Sequence, residues 1–153
     1  DYDYIIIDTA PTLGFSMIAP LTASDYVVLV TTPEAYSIIG IEQTLDVIDS
    51  VKRQNSVLSN PKNTEILGIV VSKVEINTNV AKYFIEEISK FAEKSNIRVF
   101  EDVISKNIKI PETQALQKMI TEYDPLSSAS LAYFNIALTI DEIIKKTRIK
   151  DKL

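Results

Sequence analysis

Three short runs of β-branched residues constrain the fold of this chain most strongly. They are Tyr4–Ile7, Val27–Val30 and Glu65–Ser72, and each is followed by polar residues. A continuous apolar run of this length is typical of a strand buried on both faces of a parallel sheet. We therefore expect three buried strands, with a shorter fourth strand over residues 97–100.

Helical periodicity fills the stretches between these runs. Apolar residues at three-and-four spacing predict a helix over residues 37–54, with a buried face formed by Ile38, Ile41, Leu45, Ile48 and either Val51 or Lys52. A second helix is predicted from the cap residues Asn77–Asn79 to Lys94, with a buried stripe of Val80, Phe84, Ile88 and Phe91.

A short helix interrupted at Pro20 is predicted near the start of the chain, and a long final helix from Ser127 or Ser128 to Lys146. Strands that alternate with helices indicate an α/β fold in which a parallel sheet carries helices on both faces. We predict a single domain over residues 1–153. Gly68, inside the third strand, indicates close packing against a neighbouring element.

Composition excludes several classes of function. The 153 residues contain no cysteine and no histidine, which excludes thiol chemistry and histidine acid–base catalysis and argues against a zinc site. The net charge of −5 means that any nucleic-acid contact must come from a local basic patch. No apolar run approaches the length of a transmembrane helix.

Asp8 is the main candidate for a ligand-binding or catalytic residue. It follows the first predicted strand directly, and ligands of open α/β sheets bind at the carboxyl ends of the strands. The alternative is that Asp8 only caps the turn or helix that follows. The residues themselves leave both interpretations open.

The glycines exclude a phosphate-binding loop in this chain. There are three, Gly14, Gly40 and Gly68, and none precedes a lysine, as such loops require. The chain also begins with Asp1, one or two residues before a predicted core strand. We therefore expect a piece of a longer protein whose sheet is incomplete on its N-terminal side.

An ordered series of short segments resembles the ParA-type partition ATPases, which belong to the deviant Walker (MinD/ParA) superfamily of P-loop NTPase-like proteins. The resemblance covers essentially all of the chain, as the C-terminal portion of such a domain. The matching segments are Tyr4–Gly14, Ala23–Asp25, Val27–Val30, Thr32–Glu34, Gly40–Ile41, Gly68–Val71, Thr78–Val80, Val99–Phe100, Tyr123–Pro125 and Ala132–Tyr133.

The resemblance implies ATP and Mg²⁺ as cofactors and gives Asp8 a catalytic role. Asp8 would hold Mg²⁺ through its water shell or position the attacking water, since both tasks need a carboxylate that faces the γ-phosphate. The residues after it would sense the γ-phosphate and rearrange on hydrolysis. These are Thr9, Pro11, Thr12 and Gly14.

Two further regions follow from the same resemblance. Ser105, Lys106 and Asn107 occupy the nucleotide-base region, although the family usually has proline and arginine where this chain has Ser105 and Lys106. Lys82 and Lys109 match positions where the family carries DNA-contacting basic residues. The alternative for both lysines is an ordinary solvated side chain.

The function implied by the resemblance is ATP-dependent plasmid or chromosome partitioning. The family dimerises around ATP, binds DNA without sequence preference and is stimulated by a ParB-type partner, which implies a cytoplasmic, nucleoid-associated protein without membrane association. This chain alone is expected to be inactive. The alternatives are a MinD-like membrane-associated positioning ATPase, indicated by the basic tail 143–153, and a degenerate protein that only binds DNA or a partner.

Overall fold

The computed structural model describes residues 2–10, 15–57 and 64–150. Two strands and six helices are assigned within these ranges. In chain order they are α1 (Phe15–Ala23), β1 (Tyr26–Thr31), α2 (Ser37–Val57), β2 (Glu65–Val71), α3 (Asn79–Lys94), α4 (Lys109–Ala115), α5 (Ile120–Tyr123) and α6 (Ser128–Lys150).

The sheet is parallel, as predicted. β1 and β2 pair from Tyr26 opposite Glu65 to Thr31 opposite Val71. The predicted fourth strand is present only as an isolated parallel bridge between Ile69 and Val99. There the amide of Ile69 donates to the Arg98 carbonyl at 2.8 Å. β2 therefore has a hydrogen-bonded neighbour on each side.

Gly68 explains an irregularity in the pairing of β2. The register shifts between Val27 and Val28, whose partners are Ile66 and Gly68, so that Leu67 is the extra residue of a bulge. Gly68 has a φ of +153°, and a Cβ placed on it would lie 2.9 Å from both the Arg98 carbonyl oxygen and Phe100 Cε2. The predicted close packing at Gly68 is confirmed.

Two apolar clusters cover the two faces of the sheet. One contains Leu29, Ile69 and Val71 and packs them against buried residues of α1, α2 and α3. The other joins Leu67 and Val70 to α6 and to the segment around Phe100 and Ile104. Helices therefore lie on both faces, which confirms the predicted fold class.

The helices agree with the sequence in position and differ in detail. The buried face of α2 is the predicted one, with Ile41, Ile48 and Val51 buried. On α3 the prediction for Val80 is wrong, because its side chain is 63% exposed. Val80 lies in the first turn of α3, and the smaller residues Ala81 and Ala92 join Ile88 in the core.

The predicted interruption of the first helix at Pro20 is also wrong, because α1 continues through this residue. A proline inside a helix removes one backbone hydrogen bond and crowds the preceding turn. Leu21 is buried in the first core cluster, with Met17 and Ile18 packed against it. This packing holds the helix together across the missing bond.

Residues 2–10, here called the opening segment, differ most from the structure that the sequence predicts. Tyr4–Ile7 was expected to form a buried strand, but no strand is assigned to it, and Ile5 and Ile6 are 84% and 92% exposed. The described residues supply no strand that pairs with it. Without such a partner, its backbone groups are better satisfied by water than by burial.

Candidate functional site

Asp8 and Thr9 lie in the opening segment with exposed side chains. No hydrogen bond or ion pair joins Asp8 to another residue in the described part of the chain, and none links it to residues 105–107. Pro11, Thr12 and Gly14 lie outside the described residues. Among the described residues, Asp8 therefore has no hydrogen-bond or ion-pair contact with the other predicted site residues.

The opening segment is connected to the rest of the fold through Tyr4. Its hydroxyl donates to Asp141 Oδ1 on α6 at 2.6 Å, and the Arg148 guanidinium carbon lies 5.8 Å from the centre of its ring. We call these two interactions the Tyr4 contact. Sequence reasoning missed it, since nothing local relates two residues that are 137 positions apart.

Electrostatics around the Tyr4 contact follow from this geometry. The hydrogen bond to Asp141 is the main cause that raises the pKa of Tyr4, because the carboxylate favours the protonated phenol. The pKa of Asp141 is lowered, first by its hydrogen bond from Lys145 and then by that from Tyr4. The Lys145 ammonium lies 2.7 Å from Asp141 Oδ2. Both oxygens of this carboxylate therefore have a donor.

The predicted base region lies at the carboxyl end of β2. The amide of Ile104 donates to the carbonyl of Val71, and that of Lys106 to Val74, both at 2.9 Å. These bonds place Ser105 beside the end of the strand, where it is buried with its hydroxyl 3.3 Å from that of Ser128. The turn after β2 also contains Lys73, whose φ is +55°.

Lys106 and Asn107 make local contacts in this region. Lys106 Nζ lies 2.6 Å from Glu75 Oε1, and this hydrogen bond raises the pKa of the lysine and lowers that of the glutamate. Asn107 Oδ1 accepts a hydrogen bond from the amide of Lys109 at 2.9 Å. Ser105, Lys106 and Asn107 thus form one polar edge beside the strand.

Polar groups also mark the carboxyl end of β1, which leads into α2. The Ser37 hydroxyl donates to the Thr32 carbonyl and accepts from the Glu34 amide, the latter at 3.1 Å. The Ser72 amide donates to the Thr31 carbonyl at 2.8 Å, which joins the ends of the two strands. This edge is where parallel α/β sheets bind ligands.

The two predicted DNA-contacting lysines differ in their surroundings. Lys82 is exposed on α3, one turn after the cap in which Thr78 Oγ1 accepts from the Ala81 amide. Lys109 forms a salt bridge with Asp124, and their hydrogen bond raises the pKa of the lysine. The charge of Lys109 is therefore partly compensated within the chain, whereas Lys82 presents its charge to solvent.

Asp8 carries a carboxylate, which is the type of side chain that supplies oxygen ligands to Mg²⁺. No group of three or more acidic, histidine or cysteine residues that could hold a metal occurs among the described residues. Mg²⁺ prefers oxygen ligands and usually keeps several waters, taking one or two carboxylates from the protein. A single carboxylate at residue 8 fits that pattern, with the remaining ligands from water and phosphate.

A groove of 540 Å³ lies away from the polar edge. Its lining comes from α2, the start of β2 and the turn after α3, and includes Asp49, Lys52, Glu65 and Asn96. Glu65 and Ile66 begin β2, whereas residues 105–107 lie beyond its carboxyl end. The groove and the base region are therefore at opposite ends of this strand. Within the described ranges, no helix is both long and apolar enough to cross a membrane.

Comparison with known proteins finds one matching family and several relatives that align with most of this chain. A family described as "AAA domain" matches residues 1–62. The sporulation initiation inhibitor protein Soj of Bacillus subtilis is 33% identical over 139 residues, which are 90% of this chain and 51% of the relative. The chromosome partitioning protein ParA of Myxococcus xanthus is 32% identical over 133 residues, or 87% of this chain and 44% of the relative.

An uncharacterized protein of Methanocaldococcus jannaschii is similar over an even longer stretch, with 32% identity over 145 residues. That alignment covers 95% of this chain and 53% of the relative. The chain thus spans about half the length of the curated relatives it matches. The similarity extends across both core clusters and is not confined to one motif.

Proposed function

Because this chain belongs to the ParA/MinD-type ATPase family, we propose that it is part of an enzyme that hydrolyses ATP to partition DNA. The observation that carries the proposal is the alignment with the chromosome partitioning protein ParA over 87% of the chain. The parallel sheet, with a polar edge where its strands end, supports the same function. We propose residues 1–153 as the C-terminal portion of one ATPase domain.

In this proposal ATP and Mg²⁺ bind at the polar edge of the sheet. Asp8 supplies the carboxylate for Mg²⁺ or for the attacking water, and Thr9, Pro11, Thr12 and Gly14 respond to the γ-phosphate. Ser105, Lys106 and Asn107 lie beside the base. The loop that cradles the phosphates comes from residues outside this chain, since none of its three glycines precedes a lysine.

The proposal also includes partners. The enzyme binds DNA without sequence preference, dimerises, and responds to a ParB-type protein on the nucleoid in the cytoplasm. Lys82 is the better DNA candidate, because its charge is exposed, whereas Lys109 is paired with Asp124. A phosphate contact needs an available cation, and a lysine already paired with a carboxylate must first give up that partner.

The decisive experiment measures ATP hydrolysis by the whole gene product with and without Asp8. We expect Asp8→Ala to lower the rate at least about a hundredfold, because a carboxylate that positions Mg²⁺ or water acts in the transition state. Asp3→Ala is the matched control, since Asp3 is an exposed carboxylate in the same segment. Equal rates for the two variants would remove Asp8 from catalysis.

DNA binding provides the second measurement. Lys82→Ala should weaken binding equally for unrelated sequences and reduce the salt dependence by about one phosphate contact. Lys90→Ala is the control on the same helix, because Lys90 is paired with Glu86 and Glu87. DNA binding by a wild-type protein that hydrolyses no ATP would support the non-catalytic alternative.

A further inference from the structure

An ion pair joins the turn after β2 to the base region formed by residues 105–107. Lys106 Nζ lies 2.6 Å from Glu75 Oε1, across 31 positions of the chain. We propose that Glu75 is a positioning residue for nucleotide binding, because it holds Lys106 and thereby fixes the base region beside the end of β2. The inference rests on the proposed function, and it adds a residue that acts on the nucleotide through Lys106.

The carboxylate of Glu75 extends from a turn that its own backbone closes. The Glu75 carbonyl accepts hydrogen bonds from the Thr78 amide at 3.0 Å and from the Thr78 hydroxyl at 2.9 Å. The same hydroxyl accepts from the Ala81 amide at 3.2 Å, which makes Thr78 the cap of α3. Val74, the residue before Glu75, is buried in the core. The main chain at Glu75 is therefore fixed by the core on one side and by the start of α3 on the other.

The base region is bonded to this turn only as far as Lys106. Val74 and Ser105 form an isolated parallel bridge. The Val74 amide donates to the Ile104 carbonyl at 3.0 Å, and the Lys106 amide donates to the Val74 carbonyl at 2.9 Å. Among the described residues, the hydrogen bonds of Asn107 are made with the first residues of α4. The Lys106 side chain is thus the point at which the turn can still control where Asn107 lies.

Both side chains of the pair are largely in solvent, with Lys106 68% and Glu75 54% exposed. Exposed ion pairs contribute little to the stability of a fold, so we expect variants of either residue to fold as the wild type does. A ligand is more sensitive to the pair than folding is. Its apparent affinity falls with the fraction of molecules in which the binding region is correctly arranged.

The test measures, by calorimetry, how tightly the whole gene product binds a non-hydrolysable ATP analogue with Mg²⁺. Glu75→Lys and Lys106→Glu each replace an attraction with a repulsion, so each should weaken binding about threefold to fivefold, the range that an exposed ion pair supports. The double variant Glu75→Lys/Lys106→Glu restores the attraction with the charges exchanged. It should bind within about twofold of the wild type, because the two changes compensate each other.

The direction of the single changes separates positioning from a general charge effect. ATP is an anion, so the field of the added charge alone would strengthen binding in Glu75→Lys and weaken it in Lys106→Glu. Loss of the ion pair weakens binding in both. Lys90→Glu is the matched control, since Lys90 forms an exposed pair with Glu86 about three turns along α3 from its cap. This variant should bind the analogue as the wild type does.

A second readout compares the ATP analogue with the corresponding GTP analogue. The two carry the same charge and differ only in the base, so a general charge effect cancels in the ratio of their affinities. In Glu75→Lys and in Lys106→Glu the preference for the ATP analogue should fall, and the double variant should recover it. A wild type that binds both analogues equally would show that this region does not read the base, and would overturn the inference.

The outcomes also separate this inference from the proposed function. Unchanged binding in both single variants would overturn the positioning role while the proposed function stands. A double variant as weak as Lys106→Glu would do the same, because it would mean that Lys106 contacts the nucleotide directly and needs no help from Glu75. If the wild type does not bind the ATP analogue, the proposed function fails and the positioning role fails with it.

Discussion

Strand β2 and the opening segment have similar sequences and opposite environments. Each contains a run of β-branched residues, Ile66–Val71 in the strand and Ile5–Ile7 in the segment. Ile69 in the strand is completely buried, whereas Ile6 has almost its full side chain in water. The comparison shows that an apolar run can be buried in one part of the chain and exposed in another.

Hydrogen-bonded neighbours account for the difference. β2 lies between β1 and residues 98–100, and apolar clusters cover both of its faces. The opening segment has the Tyr4 contact with α6 and no strand pairing among the described residues. Because a buried backbone must satisfy its polar groups, the run with partners enters the core and the other stays in solvent.

Truncating an isoleucine in each region tests this comparison most directly. Ile69→Ala should lower the free energy of unfolding by about 4 kcal/mol, because it removes a fully buried side chain from the cluster between the sheet and helices α1, α2 and α3. Ile6→Ala should change it by less than about 0.5 kcal/mol. Urea unfolding of the chain measures both, and equal losses would show that the opening segment is buried in solution.

The bulge at Gly68 provides the next largest expected effect. Gly68→Ala should destabilise the protein by about 3 kcal/mol, since the new Cβ meets the Arg98 carbonyl and the Phe100 ring at a backbone angle that favours glycine. Gly40→Ala is the control, because nothing lies within 4 Å of a Cβ at that helical position. It should stabilise α2 by about 0.5–1 kcal/mol. A lower melting temperature for Gly68→Ala and a higher one for Gly40→Ala would confirm the close packing beside β2.

Thr64 ties the start of β2 to α1 and gives the smallest of these effects. Its buried hydroxyl donates to the Leu21 carbonyl at 2.6 Å, and it also lies 3.1 Å from the Ser24 carbonyl oxygen. Thr64→Val keeps the shape and removes the donor, so it should cost about 1–2 kcal/mol. Thr44→Val, at a helix position where the hydroxyl only bonds back to the Gly40 carbonyl, is the control in the same unfolding assay. No difference between them would mean that β2 needs no connection at its amino end.

Much of the architecture was predictable because it depends on local patterns. The three-and-four spacing in α2 selects the residues that are buried, and Thr78 caps α3 by accepting the Ala81 amide. The parallel pairing follows from strands that alternate with helices. The wrong prediction for Val80 shows the limit of periodicity, because the neighbouring Ala81 in the same turn is the residue that is buried.

The candidate site was predictable in part. The resemblance to ParA-type ATPases placed residues 105–107 in one nucleotide-base region, and the backbone of residues 104–106 runs beside the end of β2. The pairing of Lys109 with Asp124 was not predictable, because an exposed lysine has the same local pattern whether or not a carboxylate from a later turn reaches it.

By itself, the sequence determined which runs are apolar, where the main helices lie, that Gly68 needs space, and that no glycine precedes a lysine. The tertiary structure alone decided which apolar run enters the sheet and that Tyr4 meets Asp141. The physical reason is the separation along the chain over which each interaction acts. Periodicity and capping act over a few neighbouring residues, whereas strand pairing and contacts across 137 positions depend on where the whole chain places its elements.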